Sequence, residues 1–97
     1  MARSNIFKAL ADPTRRRILQ MLDRRPEMSA GEIAGDFDIS APSMSHHFNV
    51  LKEADLISAR RDGQQILYSL NTTVVQDLMT MLYEIFAKES KPAGRRS

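Results

Sequence analysis

The chain has 97 residues, 42% hydrophobic and 27% charged, a balance that fits one soluble globular domain with a limited core. It has no cysteine, which excludes disulfides, thiolate metal sites and cysteine nucleophiles together. It also has no apolar run near the roughly 20 residues a bilayer span needs and no secretory apolar segment at its start, so a cytoplasmic protein without membrane insertion is expected. The net charge is only +2, but the isoelectric point is near 9.3 and arginine outnumbers lysine, which hints at a polyanionic partner, since guanidinium groups suit phosphate.

In chain order, residues from Arg3 to Leu10 read as a short helix with Ile6, Phe7 and Leu10 on one side. In "ADPTRRRILQMLDRR" Asp12 can cap a second helix and Pro13 suits its first position, with Ile18, Leu19 and Leu22 at helical spacing. Pro26 ends it. Ser29 and Glu32 in "SAGEIAGDF" form a capping box, so a short third helix starts there, with Ile33 and Phe37 on one face. After the turn "DIS", Ser40 can cap a fourth helix that carries Pro42 in its first turn and runs to about Ala54.

The period then changes. Ile66, Tyr68 and Leu70 alternate with Gln65, Leu67 and Ser69, and Asp62-Gly63 stands between two such runs, a hairpin signal. Asn71 or Thr72 caps a last helix bearing Val75, Leu78, Met79, Leu82, Ile85 and Phe86. One domain over residues 1–90 and a flexible basic tail over 91–97 are expected. The fold class is mainly α with a β-hairpin wing, a winged helix-turn-helix of order α-α-α-α-β-β-α. In that architecture the fourth helix would enter the DNA major groove with the hairpin beside it.

The blocks "ALADPTRRRILQML", "SAGEIAGDF", "ISAPSMSHHFNVLKEADLI" and "RRDGQQILYSL" together resemble the ArsR/SmtB family of bacterial repressors, from about Phe7 to Phe86. Within it, "SNIFKALADPTRRRIL", "SHHFNVLKEADLI" and "YSLNTTVVQDL" are most similar to the SdpR-like autorepressor subgroup. The resemblance implies a homodimeric winged-helix repressor on an imperfect palindromic operator of double-stranded DNA, dimerised through its first and last helices. From the subgroup it also implies autorepression, with release by a sequestering membrane protein partner; release by a small molecule is the alternative. Thiolate-type metal sensors of the family carry Cys-x-Cys on the third helix; the matching positions here are Ser29, Ala30 and Gly31. Zinc sensors place Asp and His on the last helix, which here has no histidine. No metal or other cofactor is expected.

The two histidines of the chain are adjacent, His46 and His47. On a helical wheel Met44, His47, Phe48 and Leu51 share one stripe, and Ser45, His46 and Asn49 lie opposite. Neighbours on a helix point about 100° apart, so the pair cannot easily converge on one metal, which favours i, i+4 spacing. His47 reads as a packed, hydrogen-bonded core histidine. His46 is read as a base-reading side chain with Ser43, Ser45 and Asn49, because that short polar face carries no carboxylate to repel phosphate. The alternative for His46 is an ordinary surface residue.

Ser29 and Ser40 are caps whose helix N-termini can also meet phosphate; capping alone explains them equally well. Arg60, Arg61 and Gln64 flank the hairpin tip and are assigned to the DNA backbone, against simple solvation of a charged turn. Arg15, Arg16 and Arg17 are expected to pair with Asp12, Asp23 or Glu32 rather than to form a binding patch. The apolar arc of the last helix is too wide for one packing face, so Leu78, Leu82, Ile85 and Phe86, with Ile6, Phe7 and Leu10, are assigned to a dimer interface. The rival readings are a protein-interaction module on the same fold, a family metal sensor with an atypical site built on His47, and a hydrolase using one histidine as base. The last lacks any carboxylate or serine constellation beside the histidines, so no enzyme is expected.

Overall fold

Local capping chemistry sets most of the helix starts. The computed structural model describes residues 5–90. The expected helix start at Arg3 and the basic tail over 91–97 lie outside the described residues. Helix α1 (Ile6–Leu10) is followed by α2 (Pro13–Arg24), where the Asp12 carboxylate accepts the Arg15 N–H and Pro13 occupies the first turn. Ser29 caps α3 (Ala30–Ala34): its hydroxyl accepts the Glu32 N–H at 3.0 Å, and Glu32 Oε1 accepts the Ser29 N–H at 2.9 Å. Ser40 caps α4 (Ala41–Glu53) through the Ser43 N–H, with Pro42 near its start.

The C-terminus of α4 closes without a glycine. Asp55 takes φ 59°, in the left-handed region, its N–H donates to Lys52 O, and the Leu56 N–H reaches back to Leu51 O at 3.1 Å. That pair of bonds is a Schellman motif, and its apolar clasp is Leu56 against Leu51, both fully buried. The chain leaves as β2 (Ile57–Asp62), turns, and returns as β3 (Gln65–Leu70) in antiparallel register, with Ala59 opposite Tyr68. Gly63 takes φ +64° ahead of Gln64, the position where a type II′ hairpin turn calls for glycine. The two loop residues are thus Gly63 and Gln64, one place later than the Asp62-Gly63 signal suggested. Asn71 then caps α5 (Thr72–Ser90) by accepting the Val74 N–H.

The structure adds one element to the expected order. Residues Met28–Ser29 form β1, which pairs antiparallel with β3 and gives a sheet ordered β1-β3-β2. The core lies where α1, α2, α3 and α4 meet this sheet. Ile18, Ile33, Leu51 and Leu56 are its fully buried large side chains, and cutting one of them back to alanine costs about 2–5 kcal/mol. Phe48 of α4 stacks on Tyr68 of β3, ring centroids 4.4 Å apart, which packs the fourth helix against the hairpin. Burial raises the Tyr68 phenol above its ordinary pKa. Among the described residues, Val74, Val75 and Leu78 are the apolar side chains of α5 that pack on the core, and the described chain measures 55 × 27 × 24 Å.

Candidate nucleic-acid interface

Helix α4 has two unlike faces. Met44, Phe48, Val50 and Leu51 are buried, while Ser43, Ser45, His46 and Asn49 are all exposed. The buried stripe fixes how the helix is rotated about its axis, and so fixes which residues face out. No carboxylate stands between Ala41 and Lys52. Lys52 is exposed on the same stripe, at i+7 from Ser45 and i+3 from Asn49, and sequence reading passed over it although that spacing was there to be counted. Ser40 Oγ donates to Ser43 Oγ at 3.1 Å, so the cap and the first polar residue of this face are hydrogen-bonded together.

The helix-turn-helix pair is braced from behind. Arg17 of α2 makes two hydrogen bonds to Asp36 Oδ2, at 2.9 and 2.6 Å, and so ties α2 to the turn between α3 and α4. Arg16 donates to Leu10 O at 2.8 Å. Arg15 is 8% exposed and donates to Ala9 O and Lys8 O. The arginine run therefore binds α1 carbonyls and Asp36, and Glu32 pairs instead with Arg25 at 3.3 Å. The guanidinium hydrogen bonds thus go to partners other than the Asp12, Asp23 or Glu32 carboxylates expected for the run, and of those carboxylates Asp12 still feels the Arg15 charge.

His47 is packed and hydrogen-bonded, as its place on the core stripe suggested. Its Nδ1 lies 3.1 Å from Arg15 Nη1 and 3.9 Å from Asp12 Oδ2. Burial, the largest influence, lowers its pKa; Asp12 raises it, and Arg15 and His46 lower it, so the ring sits below its ordinary value. Burial pushes the Asp12 carboxyl up, but the Arg15 N–H and the neighbouring His47 and Arg15 charges bring it below the usual range. The His46 and His47 rings stand 5.9 Å apart and are tilted, and no cluster of three metal-ligating side chains occurs among the described residues.

The hairpin presents Arg60, Arg61 and Gln64, all exposed. Arg60 is not idle: its Nε and Nη2 donate to the two oxygens of Glu27 at 2.6 and 2.9 Å. The guanidinium holds the Glu27 carboxyl below its usual range, and Glu27 raises Arg60 in turn. Among the described residues Arg61 reaches only Gly63 O, at 3.5 Å. Ser29, the other backbone candidate, is 7% exposed with its hydroxyl used in the capping box, so the cap accounts for it.

The terminal helices show a different surface. Phe7 is 56% exposed, Met79 62%, Tyr83 73% and Phe86 66%, and Ile85 is also exposed. Leu10, Leu78 and Leu82 are half-buried. Leu10, Leu19, Leu56, Leu70, Val75, Leu78 and Met79 line an apolar groove of about 360 Å³ at the root of α5. One assignment changes: Ile6, grouped with the interface from sequence, is 3% exposed and belongs to the core of its own chain. Five residues of helix cannot show from spacing alone which apolar side chain turns inward. No helix among the described residues is long and apolar enough to cross a membrane.

Comparison with known proteins agrees with this geometry. A family model described as a helix-turn-helix domain matches residues 10–59. The chain is 53% identical over 85 residues to the transcriptional repressor SdpR of Bacillus subtilis, covering 88% of this chain and 93% of that protein. It is 38% identical over 90 residues to a probable mercury resistance operon repressor of Streptomyces lividans, covering 93% of this chain and 70% of that one. The crystal structure of an ArsR family transcriptional regulator superposes with a TM-score of 0.82 at 30% identity, over 93% of this chain and 99% of the other.

Proposed function

The chain belongs to the ArsR family of winged helix-turn-helix regulators and is a DNA-binding transcriptional repressor, and from that premise we propose that it acts as a homodimer on an imperfect palindrome, its own promoter included. Helix α4 enters the major groove, where Ser43, Ser45, His46 and Asn49 read base edges. Arg61, Gln64 and Ser40 hold the backbone, with Lys52 added to them. Arg60 joins only by leaving Glu27, and Ser29 has little surface to offer. Two-fold symmetry places the two α4 helices about one DNA turn, roughly 34 Å, apart. The dimer buries the exposed apolar residues of α5 with Phe7 and Leu10. The setting is the cytoplasm, and release comes from a sequestering protein or a small molecule.

The observation that carries this reading is the exposed Ser-His-Asn face of α4, without a carboxylate from Ala41 to Lys52 and with exposed Glu53 only at the helix's last residue, fixed by a buried stripe. An acidic or apolar face would have favoured a protein partner. The test is titration of a selected palindromic duplex and a random duplex with the wild type and His46→Ala. Loss of a base contact costs about 1–3 kcal/mol on the selected duplex and much less on the random one. An unchanged ratio would return His46 to the ordinary surface.

The likeness to a probable mercury resistance repressor does not bring a thiolate site with it, since the chain has no cysteine. Ser29 and Gly31 stand where the family resemblance puts those ligands. We therefore assign no thiolate-type metal sensing to this chain. Zinc, cadmium or arsenite is expected to leave operator affinity within a few-fold; stoichiometric release by submicromolar zinc would reverse this.

A further inference from the structure

A single guanidinium bridges the first helix and the groove-facing helix. Arg15 is buried on α2, and its Nε and Nη2 donate to Ala9 O at 2.9 Å and Lys8 O at 3.1 Å, carbonyls in the last turn of α1. Its Nη1 meets His47 Nδ1, on the inner side of α4, at 3.1 Å. We propose that Arg15 and His47 are positioning residues that hold α4 at its working angle against α1, and that protonation of the His47 ring undoes this hold and weakens operator binding. The inference rests on the reading of α4 as the DNA-contacting helix.

The chemistry follows from donor counting. Arginine has donors and no acceptor, so Nδ1 of His47 must offer its lone pair, and the ring is neutral with its proton on Nε2. A second proton would go on Nδ1. Donor would then face donor, and two positive groups would stand at 3.1 Å. Asp12 Oδ2, at 3.9 Å, is the new partner available to the imidazolium. The ring would turn from arginine toward the carboxylate that caps α2.

The other charges around the ring are few. His46, on α4 itself, is tilted against it at 5.9 Å. From α1 the Lys8 carbonyl, not its amine, meets the guanidinium, and the Lys8 side chain is exposed. On β2, also packed against α4, Arg60 is held by Glu27 and Arg61 reaches Gly63 O. With the folded pKa below the ordinary 6.5, the neutral ring's contribution is fully present above 6.5 and is lost as pH falls through the lowered folded value.

The experiment uses the intact chain and a palindromic duplex selected by the wild type from a random library, at fixed ionic strength, at about pH 7.5 and about pH 5.5, either side of the imidazole range. His47→Asn puts an amide oxygen near the Nδ1 position, where it can accept from Arg15 without titrating. Acid should weaken operator binding by the wild type about three- to tenfold more than binding by His47→Asn, the size of one lost hydrogen bond. In His47→Asn that extra loss should be absent. An equal acid loss in both overturns the inference. Absence of any binding by the wild type at neutral pH would instead overturn the DNA-binding reading itself. Should His47→Asn fail to fold, nitrogen-15 spectra of the wild-type ring decide: an Nε2–H tautomer titrating together with operator affinity supports the proposal, and an Nδ1–H tautomer or a separate midpoint overturns it.

Discussion

Helices α4 and α5 both leave one face exposed, and the two faces are opposite in kind. That of α4 is short and polar, on a helix fixed by Phe48 against Tyr68 and by Arg15 at His47. That of α5 is large and apolar, on a helix whose described contacts with the core lie in its first turns. A polar surface that must match a groove gains from rigid mounting, because a small tilt misplaces every hydrogen bond. An apolar surface tolerates a loose mounting, because burial is non-directional. The difference teaches that the manner of attachment says as much about the partner as the exposed side chains do.

The largest expected break in this contrast is Leu82→Asp. Burial of a leucine is worth about 1.5–3 kcal/mol, and a two-fold dimer loses it twice. Sedimentation should give the mass of one chain, with DNA binding weakened in step. A wild type that sediments as a monomer at micromolar concentration would mean that α5 meets something other than a second copy.

Phe48→Ala strikes the other side, the mounting of α4. Loss of a buried phenylalanine costs about 3–5 kcal/mol, so the thermal midpoint should drop sharply. At temperatures where the variant is still folded, specific binding should suffer more than nonspecific binding. Equal losses would mean that the tilt of α4 is not what Phe48 controls.

The hairpin sharpens the contrast through salt. Arg61→Gln should lower the slope of log affinity against log salt by about 1, on selected and random duplexes alike. Glu27→Gln should raise it by up to about 1, since it frees Arg60 from its carboxylate. No change with Glu27→Gln would show that Arg60 faces away from the DNA. The smallest expected effect is a gain: Asp55→Gly relieves a left-handed non-glycine residue and should stabilise the fold by about 1 kcal/mol in urea denaturation. Destabilisation would show that the Asp55 carboxylate makes up for its backbone.

Much of this was legible in the sequence because it is local. Asp12, Ser29 and Ser40 announce helix starts by hydrogen bonds that span three residues, and the two faces of α4 follow from a period. What was not legible is long-range. Strand β1 is two residues with no pattern of their own, and it exists because Met28 and Ser29 meet Tyr68 and Leu67 across the sheet. The Glu27–Arg60 and Arg17–Asp36 pairs join residues 33 and 19 apart. Ile6 and Phe7 look alike in sequence, and only packing sends one to the core and the other to the surface.

Among the described residues, strand β2 has β3 on one side and no strand on the other. Its outer rim of backbone N–H and C=O groups is a template on which a foreign strand could add. From Ser58 to Asp62 every residue is exposed, and the last three are Arg60, Arg61 and Asp62. Charges at such a rim discourage strand addition whether or not DNA is present. The same arginines thus guard the hairpin against self-association, and apolar replacements there would feed aggregation as well as alter affinity. Glutamine removes the charge while keeping the rim hydrophilic, so a change in the salt slope can be read as a lost phosphate contact and not as protein lost to aggregates.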